Sequence, residues 1–243
     1  MHDANYKQRF GLYLEIFLNK IGTEVRKVFE DEVWLINKLV NIESIKELET
    51  VNEEIKSSNK EISIPYNFKL RIKGIKTNKC KFMKSKKKPI WLVFENADEL
   101  GEDIYVMFKK GDDLRQDIIT MQLFKIMHNL WFNNDIQLKM SLYSVISTGY
   151  FQGMLQIVTN SETLATIHKD YGGIILGFSN KPLKHWICKV TTGCISETEY
   201  VNNFILSCAA YCVATFVLGI GDRHNDNIMV KKVKYKNIIF LEW

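Results

Sequence analysis

The segment Gly219-Ile220-Gly221-Asp222-Arg223-His224-Asn225-Asp226-Asn227-Ile228-Met229 brings an acid, an imidazole and an amide into six consecutive positions, directly after a long uncharged stretch. Asp222 can orient a group or accept a proton, and His224 can serve as a base near neutral pH. Asn227 offers a hard carbonyl oxygen of the kind magnesium takes. Phosphoryl transfer needs held phosphates, a metal ion and an oriented nucleophile, and this set suits it.

Two further blocks add the cations. The first is Phe108-Lys109-Lys110-Gly111-Asp112-Asp113-Leu114-Arg115-Gln116-Asp117; the second is Lys81-Phe82-Met83-Lys84-Ser85-Lys86-Lys87-Lys88-Pro89-Ile90-Trp91. A lysine run taken alone reads as a solvated surface. Here the loop from Met83 to Pro89 also carries a hydroxyl and several N–H groups, which are phosphate-binding chemistry. The order acid, Arg, His in the 219 to 229 block reverses the His-Arg-Asp of ordinary protein kinases. Taken together and in order, the three blocks resemble the catalytic domain of the phosphatidylinositol 3-kinases, most closely class I, from about residue 60 to residue 241. The Gly-Asp-Arg-His pattern followed by Asn is similar to that of phosphatidylinositol 4-kinases and of the large protein kinases related to them.

The resemblance implies ATP and Mg2+ as cofactors and assigns roles. Ser85 and Lys87 would touch the outer phosphates, and Lys109 would hold the α-phosphate. Lys110, on the opposite face of the strand, would be solvated. Asp117 and Tyr143 match positions deep in the nucleotide pocket. Adenine would be read by Leu155, Gln156 and Val158, with Gln156 where relatives usually carry Glu. Met83, Trp91, Met107, Leu155 and Met229 would wall the site. His224 would be the base or proton relay, partnered by Asp222, and Asn227 a metal ligand. Glu242 stands where the family's Asp-Phe-Gly acid is expected, and its longer side chain would fit a tight octahedral site poorly. Weak or absent activity and marginal solubility are the expectation for a kinase domain that stops there.

The reaction implied is transfer of the ATP γ-phosphate to the 3-hydroxyl of a phosphoinositide, with phosphatidylinositol 4,5-bisphosphate the expected acceptor. The alternatives are an inactive nucleotide-binding or regulatory module, and a related large protein kinase or phosphatidylinositol 4-kinase. Expected partners are a phosphoinositide at a membrane surface and a regulatory subunit of the parent protein, with no nucleic acid. The expected location is cytoplasmic, with recruitment to the plasma membrane.

Elements of two kinds must position these groups. Residues 9 to 56 show helical spacing, with Leu12, Ile16, Val28, Leu35 and Leu39 among charges. From Glu61 the period shifts toward two, predicting strands at 69 to 73, 79 to 83, 90 to 95 and 104 to 109, then at 142 to 147 and 154 to 159. Helices are predicted over 112 to 131, with Asp112 or Asp113 at the N-cap, and over 198 to 218. The reading is an α+β, two-lobed protein-kinase-like fold. A helical segment and linker (1–60) precede an antiparallel-sheet N-lobe with phosphate loop and hinge (61–158), and a mainly helical, incomplete C-lobe with the catalytic loop follows (159–243).

Composition agrees with a packed core, since 46% of the 243 residues are hydrophobic. Five cysteines without a Cys-x-x-Cys pair favour neither a disulfide framework nor a zinc site. Cys208 and Cys212 share a helix face and read as small buried residues. The first residues lack the apolar core of a signal peptide, which suggests a reducing setting. Residues 200 to 221 carry no charge and approach the length of a membrane span, but interrupting Asn and Ser residues favour a core helix. The net charge of +5 is uneven, with ten basic residues and no acid between Lys69 and Lys88.

Overall fold

A computed structural model describes residues 2–172, 181–191, 197–221, 223–232 and 239–242. The chain forms two compact units, residues 1–113 with 146–155, and residues 114–145 with 156–243.

In the first unit the helical spacing resolves into α1 (His2–Lys20), α2 (Thr23–Val40) and α3 (Ile45–Ser57). Leu12 and Ile16 of α1 are exposed, whereas Leu35 and Leu39 of α2 and Leu48 and Ile55 of α3 are fully buried. The apolar stripe therefore does its packing from α2 onward. Ser44 starts α3: its hydroxyl accepts the Glu47 N–H at 3.4 Å, and the Glu47 carboxylate accepts the Glu43 N–H at 2.7 Å. These bonds satisfy N–H groups that a helix start leaves orphaned.

Seven strands follow in one sheet: β1 (Ile62–Ile64), β2 (Asn67–Ile75), β3 (Lys81–Phe82), β4 (Ile90–Asn96), β5 (Ile104–Lys110), β6 (Val145–Gly149) and β7 (Gln152–Gln156). Their order is β1-β2-β4-β5-β7-β6, with β3 pairing β4, and the β1/β2, β2/β4, β3/β4 and β4/β5 ladders are antiparallel. The α+β class read from the sequence is what the chain adopts. One core joins Leu35, Leu39 and Leu48 of the helices to Ile90, Leu92 and Phe94 of β4 and Val106 and Phe108 of β5. Along β5, Ile104, Val106 and Phe108 are buried while Tyr105, Met107 and Lys109 are half-buried. Successive strand side chains point to opposite faces, so Lys110 shares the core face with Phe108, and Lys109 shares the other with Met107.

The second unit contains α4 (Arg115–Asn133), β8 (Ser161–Thr163), α5 (Leu164–Gly172), α6 (Lys181–Thr191), α7 (Glu197–Leu218), β9 (Met229–Lys232) and β10 (Ile239–Glu242). The last three strands form an antiparallel sheet in the order β10-β9-β8. Phe124 of α4 packs edge-on against Tyr211 of α7, with ring centroids 5.9 Å apart. The Tyr211 hydroxyl donates to Ser141 O at 2.7 Å, so this buried phenol anchors the segment after α4 to α7.

Two expectations are corrected. Helix α4 starts after Leu114, which takes the N-cap position in place of Asp112 or Asp113 and gives no side-chain cap; the Asp112 carboxylate pairs with Lys87 instead. Cys208 is half-buried and Cys212 exposed, so the pair is not a buried one. The reason lies in α7, whose buried face, among the described residues, bears Asn203, Ser207, Ala210, Tyr211 and Ala214. Ile205, Val213 and Phe216 are exposed, the last at 88%. Val201–Leu218 is long and apolar enough to cross a membrane, yet one of its faces packs within the unit, against Phe124 and Met140.

Candidate active site

In the first unit the loop after β3 is closed at its neck by Met83 N–H donating to Pro89 O at 2.9 Å. Inside it Ser85 O accepts the Lys88 N–H at 3.1 Å, and Lys88 takes a positive φ of 42°. The loop overhangs a cleft of about 560 Å³ lined by Met83, Ser85, Lys87, Met107, Lys109 and Asp112 among others. Five residues assigned from the sequence thus come together: Met83, Ser85, Lys87, Met107 and Lys109. Trp91 is the ladder partner of Met107, but its ring packs against Tyr105 and takes the Lys81 ammonium at 5.0 Å instead of lining the cleft.

The sequence reading missed Asp112. Its Oδ1 accepts from Lys87 Nζ at 2.5 Å, and its Oδ2 lies 3.8 Å from Lys109 Nζ. Two ammonium groups, one from the loop and one from the strand, therefore share one carboxylate. Lys87 Nζ also donates to Gly111 O at 2.7 Å. Gly111 has a φ of +80°, a backbone turn that favours glycine, and its N–H donates to Phe151 O at 2.6 Å. A pair of lysines gathered on one anion is a fitting cradle for phosphate oxygens, with Asp112 as the internal stand-in.

Lys110 is not the solvated control expected. Its Nζ donates to Val40 O at 3.1 Å and to Ile42 O at 2.8 Å, at the C-terminal end of α2. The core face it shares with Phe108 is the one the helices cover, so its stem is led to them.

Around the segment expected to read adenine, Leu155 is half-buried on β7. Gln156 N–H donates to Ser144 O at 2.8 Å, and its side-chain oxygen accepts the Ser144 N–H at 3.2 Å. The amide of Gln156 thus supplies the acceptor a Glu could supply, which explains how the loss of charge is accommodated. Val158 O accepts from the Ser161 hydroxyl at 2.8 Å. Asp117 is half-buried in the first turn of α4, and Tyr143 is half-buried just before Ser144.

In the second unit α7 ends at Leu218, and Gly219, with a φ of +63°, turns the chain toward the segment 222–229. Asp222 lies outside the described residues. The loop behind it is held by backbone bonds into the start of α5, Ala165 N–H to Asn225 O at 2.8 Å and Leu164 N–H to Ile228 O at 2.9 Å. His224 N–H donates to Asn227 Oδ1 at 2.9 Å. A carbonyl oxygen has two lone pairs, so this bond alone does not exhaust it as a cation ligand. His224 Nδ1 accepts the Asp226 N–H at 3.2 Å and lies 3.6 Å from the Asp226 carboxylate. That bond assigns the neutral ring's proton to Nε2, which makes Nε2 a donor in this arrangement. Asp226, which the sequence reading passed over, is the carboxylate beside His224 among the described residues. Met229 is half-buried at the start of β9, and Glu242 on β10 is its ladder partner. The strand register thus brings the Glu242 backbone level with the end of the segment 223–229.

The profile of the phosphatidylinositol 3- and 4-kinase family matches residues 103–238, more than half of the chain. The chain belongs to this family. It is 42% identical over 242 residues to phosphatidylinositol 3-kinase 1 of Dictyostelium discoideum, covering 96% of this chain and 15% of that protein. It is 39% identical over 233 residues to phosphatidylinositol 3-kinase 3 of the same organism, covering 92% and 14%. With the phosphatidylinositol 4-phosphate 3-kinase C2 domain-containing subunit beta of Homo sapiens it shares 37% over 247 residues, 95% and 15%. The chain therefore spans about one seventh of the length of these relatives.

Proposed function

We propose that the chain carries the ATP site and catalytic loop of a phosphoinositide 3-kinase. The observation that carries this reading is the sharing of Asp112 by Lys87 and Lys109 under the Met83 to Pro89 loop, in a chain of this family. In the proposal Lys109 holds the α-phosphate, Lys87 and Ser85 the outer phosphates, and Met83 and Met107 face the apolar part of the nucleotide. Leu155, Gln156 and Val158 read adenine, Asp117 and Tyr143 lie deeper, and Trp91 supports Met107 from the neighbouring strand. Magnesium, with Asn227 as one protein ligand and Glu242 as a candidate second, would neutralise phosphate charge. His224, through Nε2, would donate to the transferring phosphate; acting as a base for the inositol 3-hydroxyl would require its Nδ1 bond to the Asp226 N–H to lapse. Asp222 is proposed as a second partner for that ring.

The proposed acceptor is phosphatidylinositol 4,5-bisphosphate on a cytoplasmic membrane surface, reached with a regulatory subunit. The name of the human relative favours phosphatidylinositol 4-phosphate as a second candidate. A fluorescent ATP analogue titrated into the unaltered chain and Lys109→Met, followed by labelled ATP with vesicles carrying each phosphoinositide, tests the reading. Binding lost at least tenfold in the variant and a weak 3-phosphorylated product are expected. ATP binding without any lipid product would assign a nucleotide-binding module, and labelled peptide without labelled lipid a protein kinase. No ATP binding at all would sink both.

A further inference from the structure

Lys110 sits one residue after the lysine proposed to hold the α-phosphate, yet its side chain is spent on a different element. Its ammonium takes Val40 O and Ile42 O, at the end of α2, where carbonyls lack helical partners and the helix dipole is negative. Across the same corner, Glu47 in the first turn of α3 has its carboxyl held below the ordinary range, first by the Glu43 N–H and also by the Lys110 charge. The corner between α2 and α3 thus encloses this ammonium with two carbonyls and a nearby acid. On the side of the phosphate loop, a second cavity of about 370 Å³ is lined by Ile42, Glu43, Lys86, Lys88 and Lys110 among others. The back of the loop therefore faces the same corner.

The chain of contacts continues without a gap into the cleft. Lys110 is followed by Gly111, whose carbonyl receives Lys87 and whose N–H is fixed to Phe151. Lys109, on the other side, points into the cleft. Fixing Lys110 thus fixes both the origin of Lys109 and the acceptor that places Lys87.

We propose that Lys110 is a positioning residue for the nucleotide phosphates, tying the end of β5 to the α2–α3 corner so that the helical segment sets where Lys109 and Lys87 stand. This rests on the nucleotide reading above. It implies a coupling: whatever displaces the α2–α3 corner, such as a partner binding there, changes affinity for the phosphates without touching them.

The test compares ATP with adenosine on the 243-residue chain, using Lys110→Met, Lys110→Arg and Glu47→Gln. Loss of a charge-assisted bond that holds a binding strand is expected to weaken ATP about tenfold in Lys110→Met. Adenosine, which has no phosphates, should bind as before, and Lys110→Arg should restore ATP to within about threefold. Should the methionine variant not fold, Lys110→Gln reads the same comparison. Glu47→Gln separates position from bulk charge: a loosened corner weakens ATP, whereas removal of a negative charge acting only at long range would strengthen it. ATP and adenosine falling together, no change in either, or tighter ATP in Glu47→Gln would overturn the proposal. Failure of the unaltered chain to bind ATP would be a different result, removing the nucleotide site and this inference with it.

Discussion

In the proposed ATP site, Asp112 would act on an incoming phosphate in two opposing ways. It gathers Lys87 and Lys109, and it occupies with negative charge the place a phosphate would take. Lys87 keeps a second acceptor in Gly111 O, so its placement survives without the carboxylate. Repulsion between unit charges about 4 Å apart in water is on the order of 1 kcal/mol, and it is the larger of the two effects here. Asp112→Asn is therefore expected to tighten ATP by about fivefold at low salt, with the gain shrinking as salt is raised. A titration showing weaker binding would mean that gathering the lysines matters more. Glu32 is a second residue whose setting governs its behaviour: it is 5% exposed, one of its oxygens has no partner, and burial raises its pKa from 4.5 to about 7. Its contribution is greatest below pH 4.5, where folded and unfolded states are both protonated, and falls as pH rises to 7 because only the unfolded state ionises easily. The loss is on the order of 3 kcal/mol. Glu32→Gln should raise the melting temperature at pH 7.5 and flatten its pH dependence between 4.5 and 7; an unchanged profile would show that the carboxylate is solvated. Both residues show how far the sequence could be read. Lys87, Lys109 and Ser85 were legible through their blocks, but Asp112 looked like a helix cap. Glu32 lies four residues after Val28 and three before Leu35, on the apolar stripe itself, so its burial was readable. The Asp226 contact with His224 was not, because only the turn geometry creates it.

Elements were legible where period and length both spoke. Strands β2, β4 and β5 and helices α4 and α7 fall close to their expected ranges, since alternation or helical spacing runs through each. The shorter ones were not: β1 and β8 have three residues, and α5 has nine, too few for a period to show. Helix α6 has Pro182 in its first turn, where proline is tolerated although it reads as a breaker elsewhere. The start of α3 could have been found, because Ser44 and Glu47 carry the spacing of a capping box. Ser44→Ala should cost about 1 kcal/mol of stability. Because α3 borders the corner that holds Lys110, a small drop in ATP affinity should accompany it, measurable by chemical denaturation and nucleotide titration on one sample. A full-sized stability loss with unchanged ATP affinity would confine the cap's effect to the helix.

At the scale of the whole molecule, the large core of the first unit begins at α2. Helix α1 leaves Tyr6, Phe10, Tyr13 and Phe17 exposed; Phe10 and Tyr13 meet edge-on within the helix, and Phe17 reaches Phe29 of α2 with ring centroids 6.1 Å apart. Removing residues 1–21 is expected to change unfolding free energy by less than about 1 kcal/mol while reducing self-association, whereas Leu39→Ala should cost about 2–5 kcal/mol. Equal losses on thermal denaturation would show that α1 is part of the core. The alternation along β5 also constrains how sequences of this family can vary. Lys109 and Lys110 are the same amino acid and differ only in parity, one facing the cleft and one facing the helices. Losing or gaining a single residue between Ile104 and Phe108 would exchange their faces and turn the apolar side of the strand outward. Length changes between relatives should therefore collect in the turn from Ala97 to Asp103, and insertions or deletions within the strand should be selected against even though both lysines would still be present.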